Sequence, residues 1–215
     1  MATYESLIQL KGSVGDLVFY TLNGKNVVRK KSGFNKTAFK KNPAYEKVRQ
    51  NSSEFGHCSK IGKTIRLALN SYLKEADDPL LYQKFAKLMT EIKDCDHISG
   101  RGKRTVQNGL STDKGKLLLK KFQFGSIPNP GTHVMISLGL WNKNLYWGKE
   151  LNAHEVDIIT LKIDFDHYTA EVFEEKITVG GQQEVAFEQH FSSDDLLLHF
   201  VVFKKEGKIT NMGFV

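Results

Sequence analysis

Carboxylate and imidazole side chains gather at one place in the C-terminal half of the sequence. Asp164 and Asp166 are separated by one residue, so a strand would present both on one face, about 7 Å apart. His154, Asp157 and His167 occur nearby, and such groups are common metal ligands. The same alternation is typical of the solvent-facing residues of a strand. We therefore favour a strand surface, and a metal site is the alternative.

Asp94, Asp96 and His97 could act as an acid and a base, but the end of a helix and a following loop explain them more simply. The motifs of phosphate-binding loops, zinc peptidases, serine hydrolases and paired-cysteine sites do not occur in the sequence. Gly12-Ser-Val-Gly15 has the spacing of a KH-type RNA-binding loop, but it opens a strand instead of joining helices. We predict no catalytic, cofactor or metal site and no enzyme.

The segment from Gly12 to Lys31 is the most informative part of the sequence. Asn23-Gly24 supplies the two positive φ angles of a type I′ turn, which predicts a hairpin with Leu22 opposite Lys25. Both faces of this hairpin carry apolar residues, and an isolated two-stranded ribbon is only marginally stable in water. The hairpin must therefore pack against its own domain or a partner.

Apolar residues at intervals of three to four predict helices in the middle of the chain. Asn42-Pro43 begins one that runs to about Lys74, Asp78-Pro79 begins a second that ends near Asp94, and a short helix covers about Thr112 to Lys121. A flexible basic connection at residues 30–41 and an exposed basic loop at residues 96–110 complete this part.

Beyond Phe122 the pattern changes to short strands separated by turn residues. The predicted strands are His133–Leu140, Glu155–Asp164, Thr169–Phe173, Glu184–Phe191, Leu196–Phe203 and Ile209–Phe214. This spacing predicts an antiparallel, Ig-like β-sandwich. The predicted fold class is α+β, with a basic hairpin-plus-helical domain (1–124) and an acidic β-sandwich domain (125–215).

Composition limits the possible settings of the protein. The 215 residues are 40% hydrophobic, and no segment has the roughly 20 apolar residues of a membrane span. The first residues do not resemble a secretory signal, so we predict a cytoplasmic protein or a component of a particle assembled in the cytoplasm. Cys58 and Cys95 are predicted to be reduced, buried thiols, with a disulfide between them as the alternative.

The net charge of +7 conceals two halves of opposite sign. Residues 1–70 carry 13 Lys or Arg against 4 Asp or Glu, whereas residues 121–215 carry 8 against 13. This asymmetry favours either a surface that faces nucleic acid or attraction between copies of the chain. Two solvated surfaces of different composition are the simpler explanation.

The run G-x-V-G-x-L-V-x-Y-x-x-N-G-K-x-V-V-R at Gly12–Arg29 resembles the opening of uncharacterised Bacteroidetes proteins of similar size. The stretches Arg101–Gly109 and Leu117–Phe124 are also similar to that family. Together they cover about a third of the chain. The resemblance implies a hairpin, helices and an Ig-like end, and it implies no activity.

Two sets of residues are candidates for contact with a partner. Lysines and arginines near the N-terminus and in the basic loop could bind phosphates or an acidic partner: Lys25, Arg29, Lys30, Lys31, Lys36, Lys40, Lys41, Arg101, Lys103 and Arg104. Aromatic residues of the hairpin and of a loop between predicted strands could anchor a protein interface: Phe19, Tyr20, Trp141, Tyr146 and Trp147. Solvated lysines and aromatic residues packed on their own domain are the simpler alternatives.

We therefore predict a non-catalytic structural or assembly protein, part of a homo-oligomer or a larger particle such as a virion or filament, without a cofactor. The alternative is a cytoplasmic nucleic-acid-binding protein that uses the basic N-terminal region.

Overall fold

A computed structural model describes residues 2–6, 10–31, 36–138, 142–151, 153–192 and 194–215. Within these residues the protein is mixed α+β, with three antiparallel sheets and one long helix. The chain divides into two compact units, Met1–Arg49 and Gln50–Val215. The predicted boundary after residue 124 falls inside the second unit, where helices and strands share one hydrophobic cluster.

The Met1–Arg49 unit contains a four-stranded sheet and a short helix. Its elements are β1 (Ala2–Thr3), β2 (Gly12–Val14), β3 (Leu17–Leu22), β4 (Lys25–Lys30) and α1 (Lys36–Lys41), with strand order β1-β4-β3-β2. The predicted hairpin is confirmed, because Leu22 pairs with Lys25 and the turn residues Asn23 and Gly24 have φ angles of 51° and 77°. Helix α1 corrects the prediction that residues 30–41 are only a connection.

Five further α-helices lie in the described residues that follow. They are α2 (Glu46–Ala68), α3 (Asn70–Leu73), α4 (Leu81–Lys93), α5 (Val106–Leu110) and α6 (Asp113–Lys120). Asn42 caps a 3₁₀ turn, Pro43–Tyr45, that leads directly into α2, and its side chain accepts a hydrogen bond of 2.9 Å from the Ala44 amide, so the predicted helix start is confirmed. The predicted continuous helix to Lys74 is wrong, because the backbone leaves helical geometry at Leu69 (φ −102°, ψ 12°) before α3 begins.

The remaining strands form two sheets. They are β5 (Val134–Leu138), β6 (Lys143–Trp147), β7 (Glu155–Asp164), β8 (Thr169–Thr178), β9 (Glu184–Phe187), β10 (Leu197–Lys205) and β11 (Lys208–Phe214). One sheet has the order β11-β10-β7-β8 and the other β5-β6-β9. All six predicted strands occur, one with the predicted ends (β7) and five with shifted ends, whereas β6 and α5 lie in segments that were predicted to be loops.

The four-stranded sheet of β7, β8, β10 and β11 is apolar on both faces. Ile159 and Val202 join the helices in one hydrophobic cluster, and Ile158 and Val201 join the three-stranded sheet in another. Phe124, which follows the last helix, packs against Phe200 at a ring-centroid distance of 5.3 Å. The helices therefore depend on this sheet for burial, whereas the two sheets also share a second core to which no helix contributes.

Candidate functional site

The N-terminal sheet has polar and apolar residues on both faces. Its register places Val18 and Tyr20 on one face and Phe19 on the other, all three half-buried. Phe19 packs edge-on against Tyr4 with 5.7 Å between ring centroids. The two predicted interface residues of the hairpin, Phe19 and Tyr20, therefore lie on opposite faces of the sheet.

The predicted basic contacts of this unit are exposed. None forms an ion pair with a described residue, and together they define the basic segment: Lys25, Arg29, Lys30, Lys31, Lys36, Lys40 and Lys41. Three of them lie on α1, which ends in Lys40 and Lys41. Exposed, unpaired cations at this density are able to contact an anionic surface.

The basic loop of the second unit is held by buried charge instead. Arg104 is partly buried, and its guanidinium donates to Glu54 Oε2 at 2.6 Å and to Asp94 Oδ1 at 2.8 Å. Lys93 Nζ donates to the same Glu54 carboxylate at 2.9 Å. The Arg104 hydrogen bond, with those from Lys93 and the Gly102 amide, lowers the pKa of Glu54 from 4.5 to about 2 despite its burial. Arg104 is therefore a structural residue, which corrects its assignment to an exposed contact.

Asp96 fixes the rest of this loop. Its carboxylate accepts hydrogen bonds from the backbone amides of Ile98, Ser99 and Thr105 and from the Asn108 side chain, all between 2.9 and 3.1 Å. These bonds hold the pKa of Asp96 well below its usual value although burial opposes the charged form. Asp96 is thus a loop anchor, and Asp94 pairs with Lys93 and Arg104.

Arg101 and Lys103 remain exposed on the surface of the loop. Arg101 donates a hydrogen bond of 3.2 Å to the Asn51 side chain, and Lys103 has no ion-pair partner among the described residues. Of the three predicted contacts in this loop, these two are accessible to a ligand.

The tryptophan segment differs from its predicted role. Trp147 is only 6% exposed, lies on β6 and packs against Phe203 with 5.7 Å between ring centroids. Tyr146 is half-buried on the same strand. Trp147 therefore lies on a strand, which corrects its predicted position in a loop, and its packing agrees with the simpler alternative; Trp141 lies outside the described residues.

Three of the residues that could bind a metal, Asp157, Asp164 and His167, make structural contacts instead. Asp164 accepts hydrogen bonds from the Asp166 and His167 amides and from His167 Nδ1, so it closes the turn between β7 and β8. Asp157 is buried, and its Oδ2 accepts a hydrogen bond of 2.5 Å from Lys204 Nζ. Across the described ranges, no group of three His, Cys, Asp or Glu side chains has a geometry that could hold a metal ion.

Two groups of buried polar side chains were not indicated by any pattern in the sequence. Tyr72 lies 2.8 Å from Asp157 and 2.7 Å from Glu174, and desolvation followed by these carboxylates raises its pKa far above the usual value. Lys143 is 8% exposed, and its Nζ lies 3.2 Å from His199 Nε2. Burial lowers the pKa of both Lys143 and His199, that of His199 to about 4. Both groups come from distant segments, so no local spacing could reveal them.

The two cysteines of the chain are free thiols inside the protein. Cys58 and Cys95 are buried and unbridged, which confirms their predicted burial, and desolvation raises the pKa of Cys58 to about 11.

Each helix in the described part of the chain is too short or too polar to cross a membrane. No protein-family model matches the chain, and no curated protein or solved structure matches it.

Proposed function

We propose that the chain is a non-catalytic structural protein that assembles into a homo-oligomer or a larger multi-subunit particle, such as a virion or filament. The observation that carries the proposal is the exposure of apolar side chains in the Met1–Arg49 unit. Val14 is 65% exposed, Leu22 48% and Leu17 42%. Among the described residues of this unit, Val27 is the one hydrophobic residue that is fully buried.

A sheet with so little buried apolar surface needs a covering surface. Units of about 40–60 residues bury a smaller fraction of their surface than larger domains do, and those without disulfides or metals are often stabilised by association. The apolar residues of both hydrophobic clusters belong to the second unit. Association that covers Val14, Leu17 and Leu22 would supply the burial that the N-terminal sheet itself does not provide.

The occupant that we propose is a second copy of the chain. Residues 1–70 are strongly basic and residues 121–215 are acidic, so head-to-tail contact between copies brings opposite charges together. Such attraction is screened over about 8 Å at physiological ionic strength, so the association constant should fall as salt rises.

Sedimentation velocity on Val14→Asp tests this proposal. The new charge lies at a 65% exposed position of β2, so it should leave the fold intact and shift the protein from oligomer to monomer. Val172→Asp is the matched control, because Val172 is an exposed valine (44%) on β8 of the second unit. Oligomers that persist in Val14→Asp, or that are lost equally in both variants, would contradict a role for the N-terminal sheet.

The second candidate function is nucleic-acid binding through the basic segment. The observation that favours it is the run of seven exposed cations without a described ion-pair partner. Lysine and arginine contacts to phosphates release counterions, so the logarithm of the binding constant falls linearly with the logarithm of the salt concentration.

A charge-reversal triple variant at Arg29, Lys30 and Lys31 tests this function. Replacement by glutamate should abolish binding of a single-stranded oligonucleotide in a fluorescence-anisotropy titration. The control carries the same charge change at exposed lysines of the second unit, namely Lys116, Lys205 and Lys208. Equal binding by the two variants would contradict the assignment of nucleic-acid binding to the basic segment.

We further propose that the chain belongs with the Bacteroidetes proteins that its Gly12–Arg29 motif resembles, and that its C-terminal strands form an Ig-like sandwich. The cluster of apolar residues contributed by both C-terminal sheets supports the second proposal.

A further inference from the structure

A groove between α2 and α4 has features of a ligand site that the proposed assembly role does not use. Its volume is about 430 Å³, within the range of small-molecule sites. Phe55 on α2 and Tyr82 on α4 line it and are 59% and 51% exposed, although both side chains are large and mostly apolar. Exposed apolar residues on an ordinary protein surface are scattered singly, whereas two exposed aromatic residues face this one groove.

Small residues form part of the lining of the groove. Gly62 of α2 packs close to α4, because a Cβ placed there would lie 3.2 Å from Met89 and 3.5 Å from Phe85. Ala86 of α4 lines the same groove. The lining residues of α2 recur at intervals of three and four from Phe55 to Arg66, and these eleven steps along the helix extend about 16 Å. The groove is therefore an elongated apolar trough.

Arg66 supplies a positive charge at one end of this trough. Its Nε is buried and donates no hydrogen bond, and Arg66 forms no ion pair with a described residue. Asp78 lines the adjoining cavity, but its carboxylate is bound to Lys84 Nζ at 2.6 Å. An arginine side chain matches a carboxylate with parallel N–H donors, and a buried donor without an acceptor is costly.

We propose that this groove binds a small molecule with one carboxylate and an elongated apolar body, such as a medium-chain fatty acid. The carboxylate accepts hydrogen bonds from the Arg66 guanidinium. The apolar body lies along Gly62 and Ala86 between the rings of Phe55 and Tyr82. The site is independent of the N-terminal sheet on which the assembly proposal rests.

A titration followed by amide chemical shifts tests the site, with decanoate as the probe and decyltrimethylammonium as a cation with the same chain. Decanoate should bind saturably and shift the amides of residues 55–66 and 82–90, and the cation should not. Arg66→Met should weaken decanoate binding by about 10- to 100-fold, the range of hydrogen bonds to charged groups. Arg101→Met, which removes an exposed arginine outside the groove, should bind like the wild type.

Equal binding of decanoate and the cation to the wild type would overturn the proposal without use of any variant. So would equal affinity of the wild type and Arg66→Met, or shifts confined to other residues. The mass of each sample is measured by light scattering in parallel. If Arg66→Met lowers the oligomeric mass and decanoate leaves the spectrum unchanged, the groove is an interface between copies and the carboxylate site is wrong.

Discussion

Replacement of Glu54 by glutamine should destabilise the protein strongly at neutral pH. The Glu54 side chain is 3% exposed and is contacted by Arg104 and Lys93, which is itself 4% exposed. Removal of one partner from a buried ion pair leaves the other charges uncompensated and typically costs about 3–5 kcal/mol. We expect Glu54→Gln to fall in this range, because Asp94 alone remains to balance the two cations.

The pH dependence gives a second, independent magnitude. The pKa of Glu54 is lowered from 4.5 in the unfolded chain to about 2 in the folded protein. This difference corresponds to about 3 kcal/mol of stability that is present above pH 4.5 and is lost as the pH falls from 4.5 towards 2. The difference in unfolding free energy between wild type and Glu54→Gln should therefore shrink over the same pH interval.

Urea unfolding at pH 7, 4 and 3 measures this difference. Glu91→Gln is the control, because Glu91 is exposed and lies 3.8 Å from Lys87 in a surface pair that contributes about 0.5 kcal/mol or less. A Glu54→Gln effect as small as that of Glu91→Gln would refute the reasoning. So would a large effect that stays constant from pH 7 to pH 3.

Three further predictions concern separate parts of the second unit. Asp96→Asn should cost about 1–3 kcal/mol of unfolding free energy and speed hydrogen exchange in residues 98–105, because it weakens the acceptor of several buried hydrogen bonds; unchanged exchange would contradict it. Gly109→Ala should lower the melting temperature sharply, since the new Cβ would lie against the Ile92 carbonyl. The new Cβ of Gly56→Ala would meet nothing within 4 Å, so this substitution should stabilise α2 by about 0.5–1 kcal/mol. His199 has its pKa lowered from 6.5 to about 4, so it contributes stability above pH 6.5 that is lost as the pH falls from 6.5 to 4. His199→Gln should flatten that part of the stability profile in urea unfolding, and an unaltered profile would contradict this.

Local patterns predicted much of the secondary structure. Asn23-Gly24 defined the hairpin because its turn chemistry acts over four residues, and alternation located Glu155–Asp164 with the bounds of β7. The break in the helix at Leu69 and the strand β6 were not predicted, and the reason is the same for both. The break after α2 places Tyr72 and Leu73 in the core, and β6 pairs with β5 and β9, so both depend on contacts distant in sequence.

The candidate site was less predictable than the fold. Exposure of the basic segment followed from its composition, but the same reasoning treated Arg104 as exposed. Its partner Glu54 is fifty residues away on α2, and no local spacing reports such a pair. Trp147 was misplaced for a similar reason, because its burial depends on Phe203 of β10.

The central claim is that this chain assembles without catalysing a reaction. Light scattering on the natively purified protein, with absorbance at 260 and 280 nm and at low and high salt, tests it most directly. We predict a nucleic-acid-free species with a mass several times the 24.4 kDa of one chain, which dissociates as salt rises. A 24.4 kDa monomer at every salt concentration, or one that carries salt-removable nucleic acid, would contradict it.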